Sequence, residues 1–163
     1  MTKRRLTLLR HGNASASAVG GDFHRPLDVR GRQEVAAAAT TIAEFHRPDL
    51  IVSSNALRTL ETARMVAAAI DYPAASITLE SQLYLADCAT LRSRLLELSD
   101  EHHHVVLVGH NPGLSELAHE WLRAADEGEF FTGLETGRGC SFSFQSDQWR
   151  DCTAAVNVSA VFL

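Results

Sequence analysis

Two short polar segments of this chain place a histidine directly after an apolar run. Residues 6–9 lead into Arg10-His11-Gly12, and residues 105–108 lead into Gly109-His110-Asn111. A guanidinium group is a rigid fork of donors that suits phosphate oxygens. An imidazole can serve as a nucleophile, an acid or a base near neutral pH. Together these residue types indicate chemistry on a phosphoryl group.

A third segment has the same build. Residues 50–53 are short, apolar and β-branched, Ser53-Ser54-Asn55 forms the polar tip, and Arg58 lies just inside a predicted helix. Such runs predict buried strands, and the carboxyl ends of parallel strands share one edge of a sheet, where ligands bind. We therefore expect two arginines and two histidines to converge at that edge. The N-termini of the following helices add N–H donors and a partial positive charge.

Strands and helices alternate along most of the chain. Apolar runs predict strands at residues 5–10, 50–53, 76–79 and 105–108. The helical spacing of Val35, Ala39, Ile42 and Phe45 predicts a first helix, which is capped by Asp28 and ends before Pro48. Further helices are expected over residues 56–70, over residues 90–98 and from Pro112 through Leu122. This alternation is typical of a mainly parallel sheet that is covered on both faces.

The end of the chain predicts a hairpin. Cys140, Phe142 and Phe144 alternate with serines, and a second alternating run contains Val156, Val158, Ala160 and Phe162, with a junction around residues 146–148. The expected fold class is therefore α/β, a three-layer α/β/α sandwich with a mainly parallel central sheet. We expect a single domain over residues 1–163.

Composition limits the function further. The formal net charge of −5, from 15 basic and 20 acidic residues, argues against general nucleic-acid binding. Three cysteines without CxxC spacing favour reduced thiols in a cytosol, and the first apolar run is too short for a signal segment or a membrane span. We expect a cytoplasmic monomer with neither a nucleic-acid nor a membrane partner. The histidines at 102–104 precede a strand and point to alternate faces, so we expect no metal site there.

The chain resembles the histidine phosphatase superfamily, also called the phosphoglycerate mutase-like fold. The resemblance rests on three ordered motifs: Leu-Arg-His-Gly at 9–12, Val-Ser-Ser-x-x-x-Arg-Thr-x-x-Thr-Ala at 52–63 and Val-Gly-His-Asn-Pro-Gly at 108–113. Arg25-Pro26-Leu27, with Gly31 beyond it, also fits. The short length is similar to that of the SixA-type phosphohistidine phosphatases.

The resemblance implies a mechanism without metal or cofactor. His11 would be the nucleophile and would form a phosphohistidine intermediate that water hydrolyses. Arg10, Arg58 and His110 would hold the phosphoryl oxygens, and His110 would be protonated when phosphate is bound. The expected further substrate-binding residues are Arg25, Asn13, Gly12 and Asn111.

The general acid is the point where this sequence departs from the family. Many members carry a glutamate for the leaving group between the second and third motifs. Here the candidates are Glu80 and Asp87, and neither stands in a matching context. A leaving imidazole needs no strong acid once its ring is protonated, which favours phosphohistidine on a protein as the substrate. Two alternatives stay open: a small-molecule phosphomonoesterase or mutase, and a non-catalytic phosphoprotein-binding module.

Overall fold

The computed structural model describes residues 1–45, 47–126, 128–154 and 159–163. The apolar runs form strands, which are β1 (Lys3–Arg10), β2 (Leu50–Ser54), β3 (Thr78–Glu80), β4 (His104–Gly109), β5 (Gly139–Gln145) and β6 (Ser159–Phe162). The segments with helical spacing form α1 (Val29–Phe45), α2 (Leu57–Ala69), α3 (Cys88–Leu96) and α4 (Gly113–Ala124). Short 3₁₀ turns lie at Asp22–His24, Ala74–Ser76, Ser81–Leu83 and Trp149–Ala154.

The strands form one six-stranded sheet in the order β3-β2-β4-β1-β5-β6. The pairs β3–β2, β2–β4 and β4–β1 are parallel, whereas β5 runs antiparallel to both β1 and β6. The prediction of a mainly parallel sheet is therefore confirmed. The carboxyl ends of β1, β2 and β4 lie at one edge of the parallel part, as the strand-end argument requires.

Side chains that alternate along β1 enter two separate cores. Leu6 and Leu8 pack with the buried faces of α3 and α4, and Leu9 packs with those of α1 and α2. Helices thus cover both faces of the sheet, which confirms the three-layer α/β/α sandwich. The cores are close to fully buried, with Leu8 and Leu9 both 0% exposed.

The first helix begins and ends as the sequence predicts, but its last apolar residue does not enter the core. Asp28 Oδ1 accepts the backbone N–H of Gly31 at 2.7 Å, which is an N-cap hydrogen bond. Val35 and Ile42 are buried, whereas the side chain of Phe45 is 43% exposed. Phe45 is the last residue of α1, and the helix ends there.

The predicted third strand starts later and the hairpin is longer than expected. Ala74–Ser76 forms a 3₁₀ turn, so β3 begins at Thr78. Strands β5 and β6 pair antiparallel, as predicted, through a connection that includes the turn Trp149–Ala154. Val156 and Val158 lie outside the described residues, and Phe162 is 53% exposed. Within the described part of the chain, no helix combines the length and apolar character needed to cross a bilayer.

Candidate active site

The parallel strands bring the first and third motifs side by side. Arg10 at the end of β1 pairs with Gly109 at the end of β4, and the His11 N–H donates to the Gly109 carbonyl at 3.2 Å. His110 follows Gly109 directly. The rings of His11 and His110 therefore lie next to each other, with centroids 5.3 Å apart and planes tilted by 59°.

The hydrogen bonds of His11 define its tautomer. Nδ1 lies 2.7 Å from the carbonyl oxygen of Gly12. A carbonyl only accepts, so Nδ1 carries the proton and Nε2 keeps its lone pair. Arg58 Nε donates to that Nε2 at 3.3 Å. Burial, with Arg58 and Arg10 nearby, lowers the pKa of His11 to about 4, so the ring is a neutral nucleophile at pH 7.

His110 is held between Ser54 at the end of β2 and Arg58 in the first turn of α2. Arg58 Nη2 donates to His110 Nδ1 at 3.4 Å, which leaves Nε2–H to donate to Ser54 Oγ at 2.8 Å. Burial, the adjacent His11 and Arg58 lower the pKa of His110 to about 3. The ring is therefore neutral, and a phosphoryl dianion beside it would raise that pKa. Its protonation with bound phosphate stays a prediction.

Arg58 links both histidines to a carboxylate. Its guanidinium is 3% exposed, and Nη1 donates to the backbone carbonyl of Asp22 at 2.8 Å. Nη2 lies 3.0 Å from Asp22 Oδ2. A buried cation needs such partners because desolvation is costly. Arg58 thus joins the nucleophile, His110 and an acidic side chain in one hydrogen-bonded cluster.

Arg10 and Asn111 are both fixed by the carbonyl of Leu134. Arg10 Nη1 donates to it at 3.0 Å and Asn111 Nδ2 at 2.8 Å, and Asn111 Oδ1 also accepts from Ser115 Oγ at 2.7 Å. Arg10 Nε is buried and has no hydrogen-bond partner among the residues that the structure describes. Within the described residues, Arg10 Nε is thus an unpaired buried donor, whereas both ends of the Asn111 amide are occupied.

Gly12 and Asn13 position the loop that carries the nucleophile. A Cβ on Gly12 would lie 2.6 Å from the Gly31 carbonyl oxygen, so only glycine allows this approach to α1. The Asn13 side-chain amide donates to the Asp28 carboxylate, and its backbone N–H donates to Glu34 Oε2 at 2.9 Å. Asn13 was expected at the pocket rim, but its amide is used to hold the loop against the start of α1.

Two side chains of the site were missed by the sequence analysis. Asp22 Oδ1 pairs with Arg25 Nη1 at 2.8 Å, and Tyr84 OH donates to Asp22 Oδ2 at 2.5 Å. Arg25 Nε also donates to the Ser15 carbonyl at 2.6 Å. The hydrogen bonds from Tyr84 and Arg25, and then Arg58, hold the pKa of Asp22 well below its usual range. The available signal was weak: Asp22 is the sole acidic residue among residues 13–24.

The motifs and the fold both have known counterparts. Residues 6–84 match the family model of the histidine phosphatase superfamily, branch 1. A candidate phosphohistidine phosphatase SixA from Agrobacterium tumefaciens is 27% identical, with a TM-score of 0.80 over 98% of this chain and 97% of that one. The chain is similar to the histidine phosphatase superfamily, in sequence over residues 6–84 and in fold over nearly its full length.

Other solved structures share this histidine phosphatase fold. A candidate SixA from Nakamurella multipartitia superposes with a TM-score of 0.82 at 24% identity, covering 100% of this chain and 96% of that one. A SixA protein histidine phosphatase complexed with tungstate has a TM-score of 0.74 at 21% identity, covering 98% and 94%. No curated protein matches the chain in sequence. These similarities in sequence and fold support a phosphatase activity.

The two candidates for the general acid, Glu80 and Asp87, have partners elsewhere in the fold. Asp87 Oδ1 accepts the Thr90 N–H at 2.8 Å and thereby caps α3. Both carboxylate oxygens of Glu80 lie 2.8 Å from Arg94 Nε, in an ion pair whose side chains are largely buried. The structure gives neither residue a contact with the two site histidines. Their catalytic assignment stays a prediction.

The histidine tract at 102–104 has structural partners. His104 Nε2 lies 3.1 Å from Thr7 Oγ1, and the backbone N–H of His103 donates to Asp49 Oδ2 at 2.7 Å. Over the described ranges, no three His, Cys, Asp or Glu side chains are grouped so that they could hold a metal ion. The positive charges that act on the nucleophile are those of Arg58, Arg10 and Arg25.

Proposed function

We propose that this protein is a metal-independent phosphatase that removes the phosphoryl group from phosphohistidine on a protein, through a phosphohistidine intermediate on His11. One observation carries the proposal. His11 is neutral, its Nδ1–H is held by the Gly12 carbonyl at 2.7 Å, and its Nε2 lone pair lies beside Arg58 Nε at 3.3 Å.

In the first step the Nε2 lone pair attacks phosphorus. The bond between phosphorus and the substrate nitrogen breaks, and its electron pair stays on the departing imidazole. His11 then carries the phosphoryl group on Nε2 and the proton on Nδ1. The Gly12 carbonyl stabilises the charge of this ring because it already accepts that proton's hydrogen bond.

In the second step water attacks the same phosphorus atom. The electron pair of the P–N bond returns to Nε2, and one proton of the water passes to solvent or to the released phosphate. His11 leaves as a neutral imidazole because Nδ1 has kept its proton throughout. Splitting the transfer into two steps avoids a direct attack of water on the substrate.

The neighbouring cations would bind the equatorial oxygens, where negative charge lies in the transition state. Arg10, Arg58 and Arg25 would supply fixed positive charge, and His110 would supply a proton once the dianion is beside it. Removing one such contact costs on the order of 3 kcal/mol of barrier, roughly a hundredfold in rate. With these charges in place, the proposed reaction needs no metal ion.

Two observations support phosphohistidine as the substrate. Several proteins with similar structures are named as phosphohistidine phosphatases, at 21–27% identity. Glu80 and Asp87 are engaged by Arg94 and by the first turn of α3. A strong acid is required for an alkoxide leaving group, but a ring-protonated phosphoimidazole can leave as neutral imidazole.

The test is phosphate release from a phosphohistidine-bearing carrier protein, with wild type and His11→Ala compared. Fast release by the wild type, its loss in the variant and an acid-labile label on His11 during turnover are expected. Release at equal rates from both proteins would refute the nucleophile. No release, with turnover of small phosphate esters, would support the phosphomonoesterase alternative. Binding of the phosphoprotein without labelling of His11 would support the binding module.

A further inference from the structure

Asp22 brings a negative charge into a site built for an anion. Its carboxylate contacts Arg58 Nη2 at 3.0 Å, Arg25 Nη1 at 2.8 Å and the Tyr84 hydroxyl at 2.5 Å. The guanidinium that holds one side of this carboxylate also contacts His11 Nε2 through Nε, at 3.3 Å. Asp22 and the nucleophile therefore contact the same guanidinium group.

The charge state of the Asp22 carboxylate limits the hydrogen bonds that it can make. The hydrogen bonds from Tyr84, Arg25 and Arg58 keep the pKa of Asp22 well below its usual range, so the group is ionised near pH 7. An ionised carboxylate accepts hydrogen bonds and cannot donate one. It therefore cannot protonate the oxygen of a departing alcohol, but it can accept an N–H and stabilise a cation.

We propose that Asp22 accepts the hydrogen bond of the distal ring N–H of the substrate's phosphoimidazole and thereby selects N–P over O–P substrates. This inference rests on the proposed function. A phosphoimidazole whose distal nitrogen is protonated carries a positive ring, which the carboxylate favours. When the P–N bond breaks, the electron pair goes to the phosphorylated nitrogen, the distal proton stays in place, and a neutral imidazole leaves.

The distal ring proton of His11 is held in the same way as the one proposed for the substrate ring. His11 keeps its distal proton because the Gly12 carbonyl accepts it at 2.7 Å. The phosphoryl group passes from one imidazole to another. The substrate ring therefore also needs an acceptor for its distal N–H, as His11 does. With Asp22 as the second acceptor, each ring exchanges only an electron pair with phosphorus.

The surroundings of Asp22 suit a flat ring. Tyr84 lies edge-on to His110 with ring centroids 5.5 Å apart, and Phe23 lies edge-on to Tyr84 at 5.1 Å. Phe23, Tyr84 and His110 thus form a row of edge-on rings next to Asp22. Aromatic pairs of this geometry are favourable beyond the area that they bury.

The Asp22 carboxylate also weakens the binding of a phosphoryl group, and this effect makes the proposal testable. A negative charge that pairs with Arg58 and Arg25 opposes the binding of any phosphoryl dianion at the same arginines. A substrate with a ring N–H recovers this loss through a charge-assisted hydrogen bond, whereas an aryl phosphate does not. Asp22→Asn should therefore affect the two substrate classes in opposite directions.

The experiment compares wild type, Asp22→Asn and the matched control Asp71→Asn. Asp71 is also paired with an arginine, Arg47, but both groups are exposed. For phosphoimidazole, Asp22→Asn should lower kcat/KM by about tenfold or more, the usual size of a hydrogen bond between charged groups. For p-nitrophenyl phosphate, kcat/KM should stay equal or rise, and inorganic phosphate should inhibit at lower concentration. Asp71→Asn should change neither substrate.

The outcomes separate this inference from the proposed function. Equal losses on both substrates, or no loss on phosphoimidazole, would overturn the role of Asp22 while leaving the phosphatase intact. A wild type that hydrolyses no N–P substrate would refute the proposed function, and this inference with it. If Asp22→Asn does not fold, Tyr84→Phe removes one hydrogen bond to the carboxylate and keeps the Arg58 pair. A change in kcat/KM confined to phosphoimidazole is then expected, and an equal loss on both substrates would count against the proposal.

Discussion

Lowering the pH from 7 to 5 should weaken the fold through the two histidines of the site. The ordinary histidine pKa of 6.5 falls to about 4 at His11 and to about 3 at His110, in both cases mainly because of burial. The unfolded chain takes up these protons near pH 6.5 and the folded chain does so only at lower pH. The unfolded state thus binds more protons in this window, so stability falls as the pH is lowered through it.

The size of this stability loss follows from the lowered pKa of His11. One pKa unit corresponds to about 1.4 kcal/mol, so the fall from 6.5 to about 4 at His11 amounts to roughly 3 kcal/mol in full. Between pH 7 and pH 5 the linkage relation gives about 2 kcal/mol from His11. Asp22 adds little in this interval: its folded pKa lies below the ordinary 3.8, so its contribution is lost only at lower pH.

Urea unfolding at pH 7 and pH 5, followed by tryptophan fluorescence, measures the difference. His11→Asn should lose about 2 kcal/mol less than wild type between the two pH values. Trp121 and Trp149 are buried and report the transition. His103→Asn is the matched control, because this histidine is exposed and its ring stays in water in both states. Equal losses in wild type and His11→Asn would refute the linkage of this histidine to folding.

Further substitutions test the loop that carries His11 and the two candidates for the general acid. In Gly31→Ala the added Cβ would lie 2.0 Å from the Asn13 carbonyl oxygen, so the loop behind His11 must move. A loss of about 1–3 kcal/mol in thermal unfolding and a lower kcat are expected, and wild-type values would contradict the close approach. Glu80→Gln and Asp87→Ala should leave kcat/KM on the phosphohistidine carrier unchanged, although Asp87→Ala should cost about 1 kcal/mol of stability as a lost cap. A fall of kcat by tenfold or more in either variant would make that residue the general acid.

The site residues that could be predicted from the sequence are those at the carboxyl ends of neighbouring strands. His11 and His110 follow paired ends of β1 and β4, so parallel pairing alone brings them together. Arg58 is placed by the short step from β2 into α2. Apolar periodicity and polar strand tips encode all three, and both signals are local in the sequence.

Residues whose roles depend on distant contacts were beyond the same reasoning. Asp22 lies in a loop without periodicity, and its partners Arg58 and Tyr84 are far away in the chain. Glu80 stands at a strand end like the site residues, yet Arg94 on α3 pairs with it. Tertiary packing decides which residue of another element contacts a loop or a strand end. A single sequence does not show these contacts.

The origin of each charge suggests where specificity in this site resides. Arg10 and Arg58 extend from the end of β1 and from the first turn of α2, so the packed sheet and helix fix their positions. These groups suit any phosphoryl group, whatever atom it is bonded to. Asp22 comes from a 3₁₀ turn in a connecting loop and presents an acceptor where an ester would need a proton donor. A change in that loop would alter the leaving group accepted without disturbing the scaffold that holds the phosphoryl oxygens. The Asp22→Asn experiment on two substrates therefore tests more than one residue, because it asks whether leaving-group choice can be separated from phosphoryl binding in this fold.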